Sequence, residues 1–159
     1  MSETVGDTKE TAPAFHVGFE GVVKPEWIDI NEHMNVRWYD HVFDNAEHDL
    51  IEAIGISDPY IAASGFTIYR LEKRIRYERE LLLGEQLLVK SRITFTDERI
   101  LKHRHELLNL SRNIRAASAE YTSMHVDLSV RKSARISDPA IREPLRKLFA
   151  AHAVAEEAP

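Results

Sequence analysis

The chain has 159 residues, of which 43% are hydrophobic and 30% charged, a composition that excludes disordered and fibrous proteins. It contains no cysteine, which excludes disulfides, thiol catalysis and thiolate metal sites. Its formal net charge of −5 gives no overall positive field for nucleic acid, and no apolar run reaches the roughly 18 residues that span a bilayer. We therefore expect a cytoplasmic protein that binds neither nucleic acid nor membrane.

The sequence predicts one domain with short tails. Residues 1–13 are polar and small and end at Pro13, which is typical of a mobile N-terminal tail. Residues 14–153 have the length of a single domain, and residues 154–159 are expected to form a loose C-terminus. No internal repeat or low-complexity tract interrupts this domain.

The first predicted elements are a strand and a long helix, separated by a polar loop. Apolar and polar residues alternate over residues 15–23, which is the period of a half-buried strand. Over residues 36–54 the apolar spacing changes to three and four, which predicts a helix that starts after Asn35 and stops at Gly55. Its apolar stripe consists of Tyr39, Val42, Phe43, Ala46, Leu50 and Ile54. Its polar side consists of Asp40, Asp44, Glu47 and His48.

Strands follow one another after residue 65. Alternating apolar residues and short polar turns predict strands over 66–78, 86–96, 99–110 and 115–131. Three predicted apolar faces are Tyr69, Leu71, Ile75 and Tyr77; Leu87, Val89, Ile93 and Phe95; and Met124, Val126, Leu128 and Val130. A cap and a proline at Ser137–Asp138–Pro139 predict a last helix. The class is therefore α+β, with a five-stranded antiparallel sheet wrapped around one long helix and a further helix at the C-terminus.

Several polar pairs outside the loop have ordinary structural explanations. His103 and His105 share a strand face at a spacing that suits a metal, but the charged residues beside them favour a solvated or intersubunit face. We also interpret two pairs as structural, Asp44–His48 on the helix and His125–Asp127 on the last long strand. No metal site is therefore predicted.

Four basic residues form a possible binding surface. Arg74 and Arg76 lie on one predicted strand, and Lys90 and Arg92 lie on the next strand along the chain. If the two strands are neighbours, the four side chains make one basic face, although the net charge of the chain is negative. Such a face is either simply solvated or a seat for the phosphorylated tail of a cofactor.

The stretch Trp27–Tyr39 carries the strongest functional signal. It places a carboxylate (Asp29), two amides (Asn31 and Asn35) and an imidazole (His33) within seven residues, directly before the long helix. Turn closure and helix capping explain one or two of these side chains but not the whole set. The helix start also offers unpaired N–H groups and about half a positive charge, which stabilise an anionic or polarised oxygen.

At these residues the sequence resembles the hotdog-fold thioesterases of the 4-hydroxybenzoyl-CoA thioesterase group. Their signature is approximately Asp-x-Asn-Gly-His-Val/Met-Asn, followed by a tyrosine, at the start of the central helix. Here residues 29–35 read Asp-Ile-Asn-Glu-His-Met-Asn, and Tyr39 follows. The start at Trp27–Ile28–Asp29 is similar to the branch that includes betainyl-CoA thioesterases, and the order of elements agrees over residues 15–131.

The resemblance implies an acyl-CoA thioesterase that acts on a small or medium acyl-CoA. By this resemblance Asp29 is the catalytic carboxylate, as nucleophile or general base, and a backbone N–H at about Val36 binds the thioester oxygen. His33 and Asn35 orient substrate or water. The expected substrate-binding residues are Asn31, Glu32, Tyr39, Phe43, Phe66, Arg74 and Arg76. No cofactor is expected beyond the coenzyme A of the substrate.

Glu32 departs from the family pattern, which usually has glycine there, so the resemblance leaves loop shape and pocket size undetermined. The resemblance also implies a homodimer, or a dimer of such dimers, in which two sheets join edge to edge and each site borrows residues across the interface. Two alternatives stay open. One is a hotdog enoyl-CoA hydratase, because Asp29 and His33 lie four apart, and the other is a non-catalytic acyl-CoA-binding protein.

Overall fold

The computed structural model describes residues 12–156, so most of the predicted N-terminal tail and the last three residues lie outside the description. In chain order the elements are β1 (His16–Val22), a 3-10 turn (Pro25–Trp27), α1 (Val36–Ala53), α2 (Asp58–Ser64), β2 (Phe66–Tyr77), β3 (Gln86–Thr96), β4 (Ile100–Asn109), β5 (Ile114–Asp127), β6 (Lys132–Ser133) and α3 (Pro139–Glu156). All predicted elements are present in the predicted order. Over residues 12–156 no helix combines the length and the apolar character needed to cross a membrane.

The strands form one antiparallel sheet in the order β1-β3-β4-β5-β2, with the two-residue β6 on β5. The sheet curls around α1, which packs against β1, β3 and β4, and α3 packs against β3. All six residues of the predicted apolar stripe of α1 are less than 5% exposed. The predicted hotdog arrangement, a sheet wrapped around one long helix, is therefore confirmed.

The two short elements that sequence periodicity misses are α2 and β6. Seven and two residues are too few to show a period of 3.6 or 2. The local signals for α2 are nevertheless present, because Ser57 caps it by accepting the N–H of Tyr60 and Gly65 ends it with a φ of 73°. At the other end of the chain, α3 continues through Glu156, three residues into the segment expected to be loose.

A close contact between β1 and α1 depends on Gly18. A Cβ atom at this position would lie 2.8 Å from the carbonyl oxygen of Ala46 and 2.9 Å from its Cα, and neither backbone atom can move aside alone. We expect Gly18→Ala to lower the free energy of unfolding by about 1–3 kcal/mol, measured by urea denaturation. Gly21→Ala is the control, because its Cβ would meet only the ring of Phe19, at 3.0 Å. Equal losses in the two variants would rule out the close approach as the cause.

A bulge in β2 changes which residues face the helix. The register of β2 against β5 shifts between Arg70 and Glu72, so Tyr69 and Ile75 lie on opposite faces of the sheet. The predicted apolar face that joined them is therefore wrong. Instead, Arg70 and Lys73 lie on the face that contacts α1, where both bind carboxylates of the helix.

The strands β3 and β5 also depart from simple alternation. A second bulge follows Ile93, and Phe95 is 43% exposed instead of sharing the buried face. The free N–H of Ile93 donates to Nδ1 of His152 on α3, at 2.9 Å. The strand β5 ends at Asp127, so residues 128–131 form a turn and the predicted apolar face does not continue through them.

Buried polar residues lie between α1 and the sheet. His103 and His105 are 1% and 0% exposed, so the expectation of a solvated or intersubunit face is wrong. Their rings form a chain in which Ser91 Oγ is 2.7 Å from His105, the two imidazoles are 2.8 Å apart, and His103 is 3.1 Å from Ser123 Oγ. Glu47, predicted on the polar side of α1, is only 7% exposed and accepts a hydrogen bond from Ser123 at 3.3 Å.

The two polar pairs expected from sequence spacing have other partners. Asp44 binds Lys73 at 3.0 Å, while His48 lies 3.4 Å from Glu52. On β5, His125 hydrogen-bonds to the carbonyl of Ala134 at 2.8 Å, and Asp127 accepts two hydrogen bonds from Ser129. Asp44 and His125 therefore bond to more distant segments, whereas His48 and Asp127 bond to residues four and two positions further along the chain.

Candidate active site

The polar loop before α1 is folded back on itself by backbone hydrogen bonds. Ile28 and Met34 form an isolated antiparallel bridge. The N–H of Asn35 donates to the carbonyl of Trp27 at 2.9 Å, and the N–H of Met34 donates to the carbonyl of Leu81 at 2.8 Å. The loop is therefore closed at its base and tied to the segment that precedes β3.

Asp29 is held inside this loop by two donors. Its Oδ1 accepts the backbone N–H of Asn31 at 2.8 Å, and its Oδ2 accepts the side-chain amide of Asn35 at 2.9 Å. The bond from Asn35 and the bond from Asn31 hold the pKa of Asp29 below its usual range, and the nearby imidazole of His33 acts in the same direction. The carboxyl group is therefore ionised at neutral pH.

The start of α1 leaves one N–H group free. The side-chain oxygen of Asn35 accepts the N–H of Arg37 at 3.1 Å, which confirms Asn35 as the N-cap, and its carbonyl accepts the N–H of Trp38 at 3.0 Å. Among residues 12–156 the N–H of Val36 has no acceptor, and Val36 is 59% exposed. An oxygen atom of a ligand can accept this N–H at the positive end of the helix.

Glu32 adopts the backbone conformation that glycine prefers. Its φ is 63°, and its backbone N–H donates to the carbonyl of Asp29 at 3.0 Å, so the turn of the loop is retained with a glutamate in it. The side chain is exposed. Because a Cβ atom is unfavourable in the left-handed region, Glu32 carries a cost of about 1 kcal/mol that glycine would not.

We expect Glu32→Gly to raise the free energy of unfolding by up to about 1 kcal/mol, because it removes the strain of a left-handed residue. Urea denaturation of the variant and the parent measures this change. Glu20→Gly is the matched control, since Glu20 is extended in β1 and glycine there should lower stability by about 0.5–1 kcal/mol. A loss of stability in both variants would contradict the strain at residue 32.

A cavity of about 260 Å³ opens beside the free N–H group. We call it the loop pocket. Six of the residues that line it are His33, Met34, Val36, Tyr39, Tyr77 and Glu80. It therefore joins the polar loop and the start of α1 to the end of β2.

Two tyrosines shape the loop pocket. Tyr39 is 4% exposed and donates its hydroxyl to the carbonyl of Arg79 at 3.2 Å. Burial raises the pKa of Tyr39 to about 12, so the hydroxyl stays protonated and neutral. Tyr77 meets it edge to face, with ring centroids 5.2 Å apart, and is itself 51% exposed.

Of the seven residues predicted to bind substrate, Tyr39 lines the loop pocket, and the other six are not among its lining residues: Asn31, Glu32, Phe43, Phe66, Arg74 and Arg76. Phe43 is 0% exposed in the core beneath α1. Phe66 stands at the start of β2 and stacks on His125, with ring centroids 5.2 Å apart, whereas Tyr77 ends the same strand. Eleven residue steps along a strand span about 36 Å, so Phe66 does not reach the loop pocket of its own chain.

The four basic residues do not form one face of neighbouring strands, so that prediction is wrong. In the sheet, β4 and β5 lie between β3 and β2, which separates Arg74 and Arg76 from Lys90 and Arg92. Arg74 is paired across the strands with Glu120, on the face away from α1. Both arginines of β2 lie outside the loop pocket, so a role for them in binding CoA stays a prediction.

Sequence reasoning missed Tyr77 and Glu80 as site residues. They lie 38 and 41 positions after Tyr39, and no local period connects residues so far apart. The contact arises because the hydrogen bond between Met34 and Leu81 draws the end of β2 to the polar loop. Only the alternation that placed Tyr77 on a strand was visible in the sequence.

Comparison with known proteins gives a family match. Residues 23–145 match the family model described as the thioesterase-like superfamily. The matched range begins before the polar loop and extends into α3, so it includes both the fold and the site described above.

Two relatives and one solved structure are similar over most of the chain. The L-carnitine dehydrogenase/betainyl-CoA thioesterase of Agrobacterium fabrum is 31% identical over 82% of this chain, but the match spans only 26% of that longer protein. The betainyl-CoA thioesterase of Pseudomonas aeruginosa is 29% identical over 73% of each chain. A hypothetical protein from Staphylococcus aureus, solved in complex with CoA, has a TM-score of 0.80 at 21% identity, covers 86% of each chain and shares the fold.

Proposed function

Because the chain belongs to the thioesterase-like superfamily, a family of thioester hydrolases, we propose that it hydrolyses a small or medium acyl-CoA to the free acid and CoA. One observation carries this proposal: an ionised carboxylate and an unpaired N–H lie together at the start of α1. The first is Asp29 and the second belongs to Val36. A cytoplasmic setting, compatible with the absence of cysteine, is part of the proposal.

A thioester suits such a site because its carbonyl carbon is weakly stabilised by resonance and its thiolate leaves readily. As a nucleophile, Asp29 would bond to the acyl carbon and expel the CoA thiolate, which gives a mixed anhydride that water then cleaves to the acid and free Asp29. As a general base, Asp29 would take a proton from a water molecule that attacks the same carbon, and the proton would end on the departing thiolate. Both routes require the ionised form of Asp29, which its two donors favour.

The proposed oxyanion site is the N–H of Val36. In either route negative charge develops on the thioester oxygen, and a fixed N–H at the positive end of a helix stabilises that charge. In this proposal His33 and Asn35 orient the reactants. The hydrogen bond from Asn35 to Asp29 supports that assignment, and so does the position of His33 on the wall of the loop pocket.

Self-association along β2 is part of the proposal. Among the described residues, β2 ends the sheet and one of its edges has no strand beside it. This edge is 12 residues long, and Tyr69, Leu71 and Tyr77 on it are 38%, 55% and 51% exposed. A long strand edge with no neighbour favours pairing with another strand, and a twofold antiparallel pairing would bring the start of β2 in a second copy towards the loop pocket. A dimer and a dimer of dimers both satisfy this arrangement.

The names of the relatives narrow the choice of acyl group on the proposed substrate. Two of them are named for betainyl-CoA thioesterase activity, and a betainyl thioester belongs to the small acyl class proposed above. The chain spans about a quarter of the length of the Agrobacterium relative, so the dehydrogenase in that name has no counterpart in this proposal.

A panel of acyl-CoAs assayed for free thiol tests the proposal. Betainyl, short aliphatic, aromatic and enoyl-CoAs are supplied, and thiol release from at least one of them is the expected result. Loss of enoyl absorbance without thiol would instead indicate the hydratase, for which the closeness of His33 to Asp29 is the favouring observation. Binding of acyl-CoA with neither signal would identify a non-catalytic binding protein.

A further inference from the structure

The outer face of the sheet, which is the face away from α1, places two arginines directly opposite each other. Arg92 of β3 is paired with Arg104 of β4, and Lys90 stands two residues before Arg92 on the same face. Arg104 lies between the buried His103 and His105, so its side chain points to the outer face. Directly opposed side chains are about 4.5–5.5 Å apart at Cβ, and like charges in such pairs destabilise a sheet. The strands therefore hold an unfavourable pair of charges at this place.

The carboxylates nearby compensate these cations only in part. Glu106 lies 3.6 Å from Arg104, but its closer partner is Arg115, which donates to it at 2.7 Å. Glu120 is 4.0 Å from Arg104, at the limit of an ion pair. Most of the negative charge of Glu106 is therefore balanced by Arg115, and Arg104 has only long contacts with carboxylates.

Lys90 and Arg92 have an aromatic neighbour in place of an acid. The ring of Phe15 lies 4.3 Å from the ammonium group of Lys90 and 5.9 Å from the guanidinium of Arg92, measured to its centroid. Among residues 12–156 neither cation has a carboxylate within 4.0 Å. The Nε atoms of Arg92 and Arg104 are shielded from solvent and form no hydrogen bond with the described residues. Three cations with unused donors therefore face one place.

A groove in two parts runs over these cations, and we call it the outer groove. Its narrow part has a volume of about 170 Å³ and is lined by Lys90, Arg92, Thr94, Arg104 and Glu106. Its wide part has a volume of about 410 Å³ and shares Thr94 and Arg104 with the narrow part. The other charged residues that line the wide part are Glu72, Arg74, Lys102 and Glu120. The narrow part has room for a phosphate group, and the wide part has room for the rest of a small molecule.

The charges in the narrow part favour a phosphate group over a carboxylate. Three cations can balance the two or three negative charges of a phosphate or diphosphate, whereas a carboxylate brings only one. Guanidinium groups donate two parallel hydrogen bonds to phosphate oxygens, and an ammonium group adds a third donor. The hydroxyl of Thr94 is a further donor in the same wall.

Acidic residues on both sides limit the size of the ligand. Glu20 of β1 flanks the groove beside β3, and Glu72 and Glu120 lie at its far end on β2 and β5. The chain as a whole has a formal net charge of −5. A nucleic-acid strand would extend from the groove onto these carboxylates and be repelled, while a compact phosphorylated molecule stays within the cationic part.

We propose that the outer groove binds a small phosphorylated molecule, with a phosphate group between Arg92 and Arg104 and within reach of Lys90. The inference goes beyond the proposed function, because the loop pocket lies on the other face of the sheet, where Tyr77 contacts Tyr39 of α1. The phosphate belongs either to a separate metabolite or to the phosphorylated tail of a CoA. Both sources present the same chemistry to the groove.

Isothermal titration of inorganic pyrophosphate into the parent protein tests the proposal. We expect saturable binding that Arg92→Gln and Arg104→Gln each weaken about ten-fold or more, because each removes a charged donor. Arg99→Gln is the matched control, since Arg99 is an exposed arginine in the turn between β3 and β4, and it should leave binding unchanged. Acetate, a single negative charge, should not bind measurably. Absence of pyrophosphate binding by the parent, or equal weakening in all three variants, would overturn the proposal.

The urea midpoint provides a second measurement that shows whether the variants are folded. Arg92→Gln removes the opposed like charges, so without ligand it should unfold at a urea concentration no lower than that of the parent. Pyrophosphate should raise the midpoint of the parent and raise that of Arg92→Gln much less, because a ligand stabilises the state that binds it. An equal rise in the two proteins would contradict binding at Arg92.

CoA used as a competitor distinguishes the two sources of the phosphate. If the groove holds a CoA tail, saturating CoA blocks pyrophosphate binding, and Arg92→Gln raises KM for an acyl-CoA but not for the matching acyl-pantetheine, which has no phosphate. If the groove holds a separate metabolite, CoA leaves pyrophosphate binding unchanged, and so do both KM values in the variant. Either result supports the groove as a phosphate site. The titrations need no turnover, so the outer groove and the proposed function can fail independently.

Discussion

Asp29→Asn should lower the rate of thiol release by about 10²–10⁴ if the carboxylate is a general base, and by more if it is the nucleophile. The amide keeps the size of the side chain and can still accept the N–H of Asn31, while its NH₂ group cannot accept the side-chain amide of Asn35. The change therefore removes the charge, the basic oxygen and one hydrogen bond of the loop. The measurement is kcat/KM for the best acyl-CoA of the panel, with circular dichroism to show that the variant is folded.

Asp97→Asn is the matched control for this substitution. Asp97 is a loop aspartate that, like Asp29, accepts two hydrogen bonds, in this case from the backbone N–H groups of Arg99 and Ile100 at 2.9 and 2.7 Å. It lies in the turn between β3 and β4, so its loss should leave thiol release unchanged. If Asp29→Asn keeps near-normal turnover, the assignment of Asp29 is wrong even though the reaction is right.

The free energy of unfolding should fall by about 5 kcal/mol or more between pH 6.5 and pH 5, because buried histidines are neutral in the folded protein. Four histidines are at most 1% exposed: His103, His105, His125 and His152. Burial lowers the pKa of His103 to about 3 and that of His152 to about 4, and it holds the pKa of His105 well below, and that of His125 below, its ordinary value. A loss of this size is comparable to the whole stability of a small domain.

The direction follows from proton uptake. Below about pH 6.5 the unfolded chain binds protons at these histidines and the folded protein does not, so acid favours unfolding. Each histidine contributes about 1.4 kcal/mol per pH unit well below pH 6.5. The aspartates and glutamates whose pKa values are lowered act only below about pH 4.5, outside this window.

Urea denaturation at several pH values measures the slope of the free energy of unfolding against pH. His103→Gln should reduce it by about a quarter to a third, because His103 is one of the four buried histidines. The slope is informative even when a variant is less stable, since a constant loss of stability does not change it. Stability that is independent of pH from 6.5 to 5 would show that the buried histidines are charged in the folded protein.

Local patterns predict the two long helices and the five long strands because each leaves a periodic trace, whereas α2 and β6 are too short to do so. The stripe from Tyr39 to Ile54 repeats at helical spacing, and the cap at Asn35 and the stop at Gly55 mark its ends. The polar loop was visible as a cluster, and the family resemblance supplied roles for Asp29 and Val36 that spacing alone does not provide. The hydrogen bonds of Asp29 agree with the role assigned to it but do not test it.

Features that depend on distant residues were not predictable. A bulge such as the one after Arg70 moves later residues to the other face of the sheet, and the local sequence pattern does not predict it. His103 and His105 are polar in sequence but buried, because neighbouring strands supply Ser91 and Ser123 as partners. The loop pocket likewise exists only where β2 meets the polar loop.

Asn35 uses both ends of one amide group. Its NH₂ donates to Asp29, and its oxygen accepts the N–H of Arg37. Aspartate would keep the cap and place a second negative charge against Asp29, and serine is too short to reach both partners. The protein can therefore accept a glutamate at position 32, where only the backbone is used, while position 35 requires a side chain that donates and accepts at once. A redesign of this loop can therefore vary residue 32 but must keep asparagine at position 35.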